Sequence, residues 1–239
     1  MQFDISSIAA DFPEFRVAVL VCEDLAIVPV RSAALDSFIT EVEMAARERW
    51  RETELPAIPG IAAWRKAYCQ FGIKKTSYRS SVERLVKNML AGAPLPRINA
   101  FVDAYNAVSL KHILPAGADD LDHVRGDLAF RYSRDGDDFR DMGALDEEGA
   151  PLADPPKAGE VLYADAEKVL CRRWNWRQDA RSVIRAETRR AVVTSQANGF
   201  GDPSAAAAEL STLLQQECGG RSSITVLDAA NQLTELVFP

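Results

Sequence analysis

The seven residues from Cys171 to Arg177 combine three arginines, two tryptophans and one asparagine. Three guanidinium groups do not suit a packed core, because a buried charge must be paired or it costs several kcal/mol. Two tryptophans do not suit a solvated loop, because each can bury roughly 150–250 Å². Arginines interleaved with aromatic rings can stack on bases and hold phosphates or carboxylates. The same composition also fits a strand end held by cation–π contacts, and both interpretations stay open at this point.

Charge is distributed unevenly along the 239 residues. The formal net charge of −7 argues against non-specific binding to duplex nucleic acid, which relies on neutralising phosphates. Lysine and arginine nevertheless cluster in residues 65–97 and 172–190, and acidic residues concentrate in 119–154. This asymmetry could give the protein a phosphate-facing side and an acidic pocket, although solvated faces explain most of the individual charges equally well.

The sequence predicts a cytoplasmic protein without metal or cofactor. The four cysteines fit no zinc-binding spacing, and two histidines are too few for a histidine-rich site, so reduced thiols are expected. No apolar run approaches the ~18–20 residues that span a membrane, and the N-terminal residues lack the features of a signal peptide. The oligomeric state is left open.

Hydrophobic periodicity and end signals predict alternating helices and strands. Helices are expected at residues 33–51, 61–71, 80–90, 96–111 and 204–218. Ser80 and Glu83 form a candidate capping box, Pro96 suits a first helical turn, and Ser204 is a candidate cap.

Strands are expected at residues 15–28, 128–132, 138–142, 161–164, 169–173, 191–195 and 222–227, with a loop at 147–157. No internal repeat or linker divides the chain. The prediction is therefore one α+β domain covering residues 1–239.

Several long motifs in a fixed order resemble one known family. They occupy residues 64–72, 78–83, 95–106, 115–126, 159–165 and 173–177. In this order they resemble the B3/B4 editing domain of the bacterial phenylalanyl-tRNA synthetase beta subunit. The Arg-Trp-Asn-Trp-Arg string at 173–177 is most similar to the freestanding version of that domain. The resemblance covers roughly residues 10–230, with the core motifs in 60–195, and implies a mixed or antiparallel sheet core flanked by helices.

The resemblance implies hydrolysis, in trans, of the ester that joins a wrong amino acid to the 3′ acceptor end of tRNA. Such editing is needed because binding alone separates close analogues by only ~10–200-fold. An aminoacyl ester is already activated, so the protein mainly positions water and stabilises the oxyanion. The implied reaction needs no metal, and the sequence contains no evident Ser-His-Asp or Cys-His set.

One position departs from the synthetase pattern. Where the synthetase domain has a histidine, this chain has Gly117, which argues against tyrosine on a phenylalanine tRNA as the substrate. The acidic residues that follow, Asp119 and Asp120, could hold a cationic amino acid instead. Within the freestanding family, canavanyl-tRNA(Arg) is the best single substrate, because paired hydrogen bonds to carboxylates suit a guanidinooxy group. The alternatives are a non-catalytic tRNA-binding module and a small-molecule amino-acid-ester hydrolase on the same fold.

The resemblance and the local patterns select two groups of candidate site residues. The expected catalytic residues are Asn106, Asp120, Glu160 and Asn175. The expected substrate- or tRNA-binding residues are Tyr105, Ser109, Gly117, Arg173, Arg177, Asp179 and Thr188.

Each candidate also has a structural explanation. Asn106 and Ser109 share a helix face, and their side chains could simply form hydrogen bonds to neighbouring groups at the helix end. Asp120 could cap a turn. Glu160 and Thr188 could each have a purely structural role at the start of a strand. Trp174 and Trp176 are expected to take different roles, with at most one facing the ligand while the other packs inward.

Overall fold

The computed structural model describes residues 1–74 and 77–239. Lys75 and Thr76, within the predicted basic stretch 65–97, lie outside the described residues. The helices are α1 (Ser6–Ala9), α2 (Ala33–Trp50), α3 (Pro59–Gln70), α4 (Ser81–Leu90), α5 (Ala100–His112) and α6 (Pro203–Cys218). The strands are β1 (Gln2–Asp4), β2 (Phe15–Glu23), β3 (Ala116–Asp120), β4 (Leu128–Tyr132), β5 (Arg140–Leu145), β6 (Pro151–Ala153), β7 (Val161–Ala164), β8 (Val169–Arg172), β9 (Arg177–Gln178), β10 (Ala191–Asn198), β11 (Arg221–Leu227) and β12 (Leu233–Glu235).

The strands form two main sheets and a hairpin. One sheet has the order β12-β1-β4-β7-β8-β9 and is mixed, because β1 and β4 are parallel whereas its other pairs are antiparallel. The other sheet is antiparallel, with the order β11-β2-β10-β3. Strands β5 and β6 pair as a separate hairpin. The predicted α+β class, with a mixed and antiparallel sheet core flanked by helices, is confirmed.

Strand β2 is buried on both faces and therefore belongs to two hydrophobic clusters. Leu20 and Cys22 pack with residues of α2, α4, α5 and α6. Val19 and Val21 point the other way, into a cluster with Trp64 of α3 and residues of the six-stranded sheet. Alternate side chains of a strand point to opposite faces, so an unbroken apolar run is what a strand covered on both sides requires.

The helix ends show which capping signals were decisive. The hydroxyl of Ser80 accepts a hydrogen bond from the Glu83 amide, as predicted, so α4 begins at Ser81. The Glu83 carboxylate instead pairs with Arg65 and Arg79, so only this half of the predicted capping box forms. Helix α6 is capped by Asp202 and not by Ser204, because Asp202 accepts from the amides of Ser204 and Ala205 at 2.9 and 3.2 Å. Pro203 then occupies the first helical position, where its missing N–H costs nothing.

Helix α5 begins four residues later than predicted. Asn99 caps it by accepting from the Val102 amide at 2.9 Å, whereas Pro96 stays outside the helix. The preceding segment is held extended because Asp103 accepts from the Ile98 amide at 2.9 Å. The Asp103 side chain, in the first turn of α5, therefore keeps Ile98 outside the helix, so that α5 does not begin at Pro96.

Several short strands were not predicted, and some boundaries were wrong. The strand expected at 15–28 ends at Glu23, because Asp24 has a left-handed backbone angle of +57°. Strands β1, β3 and β12 lack the β-branched run that identifies a strand, and β6 lies in what was expected to be a loop. Strand β5 covers Arg140–Leu145, two residues beyond the expected start. These segments become strands because a neighbour supplies the pairing, which is a tertiary effect.

The arginine- and tryptophan-rich segment forms a tight turn between β8 and β9. Arg173 and Trp174 have φ values of +48° and +65°, so strand β8 ends at Arg172 and not at residue 173 as predicted. The two tryptophans take different roles because they lie in a turn, since residues two apart in a strand would share a face. One tryptophan nevertheless packs inward as expected. The Trp174 ring lies edge-on to Phe12 and Phe15, with ring centroids 4.7 and 4.9 Å apart.

Among the helices of residues 1–74 and 77–239, none has the length and apolar composition needed to cross a bilayer.

We expect Trp174→Ala to lower the free energy of unfolding by about 3–5 kcal/mol, because it leaves a cavity inside an aromatic cluster. Urea unfolding followed by circular dichroism measures the change. Trp176→Ala is the matched control, since this ring is only partly buried, and should cost less than half as much. Equal losses for the two variants would contradict the assignment of Trp174 to the core.

Candidate functional site

A pocket of about 160 Å³ opens where α5, β3, β10 and the turn between β8 and β9 meet. Strands β10 and β3 form one wall, and their pairing places Gly117 opposite Thr194. The turn contributes Asn175 and Trp176 to another wall. The lining residues are Ser81, Tyr105, Asn106, Ala116, Gly117, Ala118, Asp119, Tyr163, Cys171, Asn175, Trp176, Arg177, Gln178, Thr194 and Gln196.

Asp119 is the carboxylate of the pocket. Its Oδ1 accepts hydrogen bonds from Ser182 at 2.6 Å and from Gln178 at 3.1 Å. Burial raises the pKa of Asp119 to about 7, despite these two hydrogen bonds, which favour the ionised form. A carboxyl group with this pKa can exchange a proton near neutral pH, and a bound cation would favour its ionised form.

A chain of hydrogen bonds holds the amide side chains of the pocket in place. Asn175 donates to Gln196 at 3.0 Å, and Gln196 donates to the hydroxyl of Thr194 at 3.0 Å. Tyr68 donates to the Asn175 side-chain oxygen at 2.9 Å from the core side. A side chain fixed by two such contacts, as Asn175 and Gln196 both are, can orient a bound polar group without reorganising.

Buried polar atoms that lack a hydrogen-bond partner among the described residues concentrate at this pocket. Its walls carry the hydroxyls of Ser81 and Tyr163, together with Nε1 of Trp176 and Nε of Arg177. Arg173, stacked on the Trp176 ring, leaves two further N–H groups unpaired. Because buried polar groups are nearly always satisfied, such a concentration indicates a site for a polar ligand. Trp174 Nε1 is also unpaired, inside the aromatic cluster.

Gly117 leaves open space beside the carboxylate. A Cβ atom placed on it would meet no other atom within 4 Å, and its backbone is not in the left-handed region. The position could therefore carry a side chain without strain. Because Gly117 has no side chain, the space beside it is part of the pocket volume.

Five of the residues predicted from the sequence line this pocket: Tyr105, Asn106, Gly117, Asn175 and Arg177. Burial raises the pKa of the Tyr105 hydroxyl well above its ordinary range. Arg177 is anchored at the rim by donating to Asp141 at 2.7 Å.

Three predicted residues are instead used in local structure. Asp120 accepts from the hydroxyl of Thr188 at 2.6 Å and caps the following turn by accepting from the Asp122 amide. Thr188 is thereby committed to the same contact. The hydroxyl of Ser109 donates to the Leu114 carbonyl at 2.6 Å, at the end of α5. None of the three lines the pocket.

The remaining three predicted residues form buried ion pairs outside the lining. Glu160 is 4% exposed and accepts from Arg172 at 2.8 and 3.0 Å, so it is not available to a substrate ammonium group. Arg173 lies 3.3 Å from the same carboxylate. Asp179 is fully buried and accepts from Arg181 and from the Arg140 amide.

The sequence prediction names Asp120 as a site residue, whereas Asp119 lines the pocket. The periodicity of a strand distinguishes the two side chains. Residues two apart in a strand share a face, so Gly117 and Asp119 point together while Asp120 points away. That signal was unusable because β3 was not recognised as a strand. Gln178, Thr194 and Gln196 also line the pocket, and nothing in the sequence marks them beyond their positions on or near strands.

Neither histidine lines the pocket, and the thiol of Cys171 has its pKa raised by burial. Within residues 1–74 and 77–239, no group of three or more His, Cys, Asp or Glu side chains could hold a metal ion.

The B3/4 domain family matches residues 63–216. The chain belongs to this family. All the residues that line the pocket of this B3/4 domain fall within the matched span.

A crystal structure of an N-terminal fragment of the phenylalanyl-tRNA synthetase beta subunit from Pyrococcus horikoshii is similar, with 12% sequence identity and a TM-score of 0.47. The alignment covers 92% of this chain and 49% of that one, so the chain spans about half of the fragment's length. A comparison with curated proteins found no match.

We expect Asp119→Asn to change the pH dependence of stability. The pKa of folded Asp119, about 7, lies above its ordinary 3.8, so its favourable contribution is full below pH 3.8 and is lost as the pH rises through 7. The variant should therefore gain about 3 kcal/mol relative to the unsubstituted protein between roughly pH 5 and 8.

Urea unfolding at both pH values measures this gain. Asp135→Asn, at an exposed turn, is the control and should show no such gain. A pH-independent difference between the Asp119→Asn variant and the unsubstituted protein would contradict the raised pKa.

Proposed function

We propose that this B3/4 domain is a trans-acting aminoacyl-tRNA deacylase that hydrolyses the ester of a mischarged tRNA. The observation that carries the proposal is a pocket in which a buried carboxylate, Asp119, adjoins the open space at Gly117 and a wall of fixed amides. Such a pocket can bind an amino acid and orient water, which is what hydrolysis of an activated ester requires.

The leading substrate is canavanyl-tRNA(Arg), with the guanidinooxy side chain directed at Asp119. A cation in contact with this carboxylate favours its ionised form and so lowers its pKa on binding. Two carboxylate oxygens match the paired N–H groups of a guanidino group. Ser182 and Gln178 fix the carboxylate for this contact.

The amide groups are assigned to the reacting end of the substrate. Asn175, held by Tyr68 and Gln196, orients the ester carbonyl or the attacking water. Asn106, on the α5 wall, is assigned to the substrate α-amino group. Arg177 at the rim faces the tRNA acceptor end. This division replaces Asp120 and Glu160, whose carboxylates are engaged within the protein.

A non-catalytic tRNA-binding module is the second candidate. It is favoured by the pocket's composition, since its lining contains no histidine and its one thiol, Cys171, is kept protonated by burial. A small-molecule amino-acid-ester hydrolase is a further alternative. Comparing the hydrolysis rates of free amino-acid esters and of aminoacyl-tRNA separates it from tRNA editing.

We expect the protein to accelerate the hydrolysis of canavanyl-tRNA(Arg) and to leave arginyl-tRNA(Arg) and tyrosyl-tRNA(Phe) largely intact. Release of radiolabelled amino acid from each tRNA measures the rates. Asp119→Asn should lower kcat/KM for the canavanyl ester by about 100-fold, because it removes the buried charge that pairs with the substrate.

Asp120→Asn is the matched control, because the neighbouring side chain faces away and should affect folding more than the rate. Absence of acceleration on every mischarged tRNA would leave the binding-module candidate. Hydrolysis of free canavanine esters as fast as of the tRNA ester would favour the small-molecule alternative. A larger rate loss from Asp120→Asn than from Asp119→Asn would contradict the assignment of the carboxylate.

We expect Gly117→Val to lower deacylation by about tenfold or more while changing the free energy of unfolding by less than about 1 kcal/mol, because the added methyl groups enter open space and occupy the pocket. Gly117→Ala should show a smaller loss in the same direction. The measurements are the deacylation assay and urea unfolding. Full activity of Gly117→Val would show that the substrate does not use this space.

A further inference from the structure

Unpaired donors gather around the Trp176 ring, at the edge of the pocket. The guanidinium of Arg173 lies 4.4 Å from the centre of this ring and that of Arg177 lies 5.0 Å from it. Ser81 is tied to the same turn, because its amide donates to the Asn175 carbonyl at 2.9 Å. The unpaired atoms are Nε and Nη1 of Arg173, Nε1 of Trp176, Nε of Arg177 and Oγ of Ser81.

Almost all of these atoms can only donate. Indole and guanidinium nitrogens have no acceptor capacity, so only the Ser81 hydroxyl can do both. Their missing partner is therefore an acceptor, and no acceptor for them is present in the described parts of the chain. Arg173 is 3% exposed, and a buried guanidinium with two unsatisfied N–H groups is costly unless a ligand completes it.

Charge at this edge favours an anion, even though Arg173 lies beside Glu160 and Arg177 donates to Asp141. Glu83 is shared by two arginines, Arg65 and Arg79, at 2.6 and 3.0 Å. Arg84, one helical turn after Ser81, has no carboxylate partner in the described residues. Partial burial lowers the pKa of Arg84, and the nearby charge of Arg177 lowers it further. Ser81 also begins α4, whose N-terminus adds partial positive charge.

We infer that Ser81, Trp176 and Arg177, with Arg173 stacked behind the Trp176 ring, form an oxyanion subsite that binds the 5′-phosphate of the terminal nucleotide of tRNA. The inference rests on the proposed function, because it places the nucleotide that carries the amino acid beside the pocket that receives the amino acid. Donor geometry alone would also suit free inorganic phosphate. Arg84 and the α4 N-terminus supply attraction at longer range.

The first experiment compares two substrates that differ only in the phosphate. They are the canavanyl esters of adenosine and of adenosine 5′-monophosphate, each carried on the ribose 3′-oxygen. We expect the monophosphate ester to have a kcat/KM about 10- to 100-fold higher, as expected for hydrogen bonds to a charged group. Equal kcat/KM values for the two esters would overturn the inference.

Two variants test the named atoms. Trp176→Phe keeps a ring but removes the Nε1 donor, and Arg177→Lys keeps the charge but removes the Nε donor. Each should reduce the preference for the monophosphate ester several-fold. Arg221→Gln, at an exposed arginine paired with Asp24, is the control and should retain the preference. A preference that is unchanged in both test variants would place the phosphate elsewhere.

A binding measurement separates this inference from the deacylase proposal. Tryptophan fluorescence is titrated with adenosine 5′-monophosphate, adenosine and inorganic phosphate. We expect adenosine 5′-monophosphate to bind at least tenfold more tightly than either of the others, and its preference over adenosine to fall several-fold in Arg177→Lys, which keeps every tryptophan. This result without hydrolysis of any ester would support the subsite while contradicting the deacylase. Inorganic phosphate binding as tightly as the nucleotide would overturn the nucleotide assignment.

Discussion

The buried carboxylate of Glu160 fixes the turn on which the pocket depends. It accepts two hydrogen bonds from Arg172 and lies 3.3 Å from Arg173. These contacts hold the chain where Arg173 and Trp174 adopt left-handed backbone angles, which cost a non-glycine residue roughly 1–2 kcal/mol each. Ion pairing on one side and burial of the Trp174 ring on the other offset that cost. The turn then presents Trp176 to the pocket.

Most of the buried side-chain atoms without a hydrogen-bond partner among residues 1–74 and 77–239 belong to residues that line the pocket. Asp119 is desolvated, and its hydrogen-bond partners in the described parts of the chain are the neutral side chains of Ser182 and Gln178. The hydroxyls of Tyr163 and Ser81 in the walls have no partner there. Local arrangements of this kind are unfavourable for stability and persist where the surrounding structure enforces them. Here the enforcement comes from the sheet behind Asp119 and from the hydrogen-bonded amides of Asn175 and Gln196.

The sequence predicted the parts of the fold that local periodicity determines. Helix α2 and strands β4 and β7 have strong patterns and lie where they were expected. Strand β3 could not be predicted because its residues, Ala116–Asp120, have little strand propensity and depend on pairing with β10. That omission moved the site prediction from Asp119 to Asp120.

Site residues were predictable only where a motif carried them. Asn106, Gly117 and Asn175 lie in the motifs that resemble the editing domain, and they line the pocket. Glu160 also lies in such a motif, but its carboxylate accepts hydrogen bonds from Arg172 and is not free for a ligand. This pairing cannot be read from one sequence. Which of two neighbouring polar residues faces a cavity depends on register and ion pairing, both of which are set by the fold.

The double role of β2 bears on how the chain can be divided. Its side chains belong to both hydrophobic clusters, yet β2 precedes residue 63, where the family match begins. A fragment limited to the matched residues would keep the whole pocket lining and lose the central strand that joins the two clusters. The matched segment therefore contains every residue that lines the pocket, but its folding depends on residues outside it.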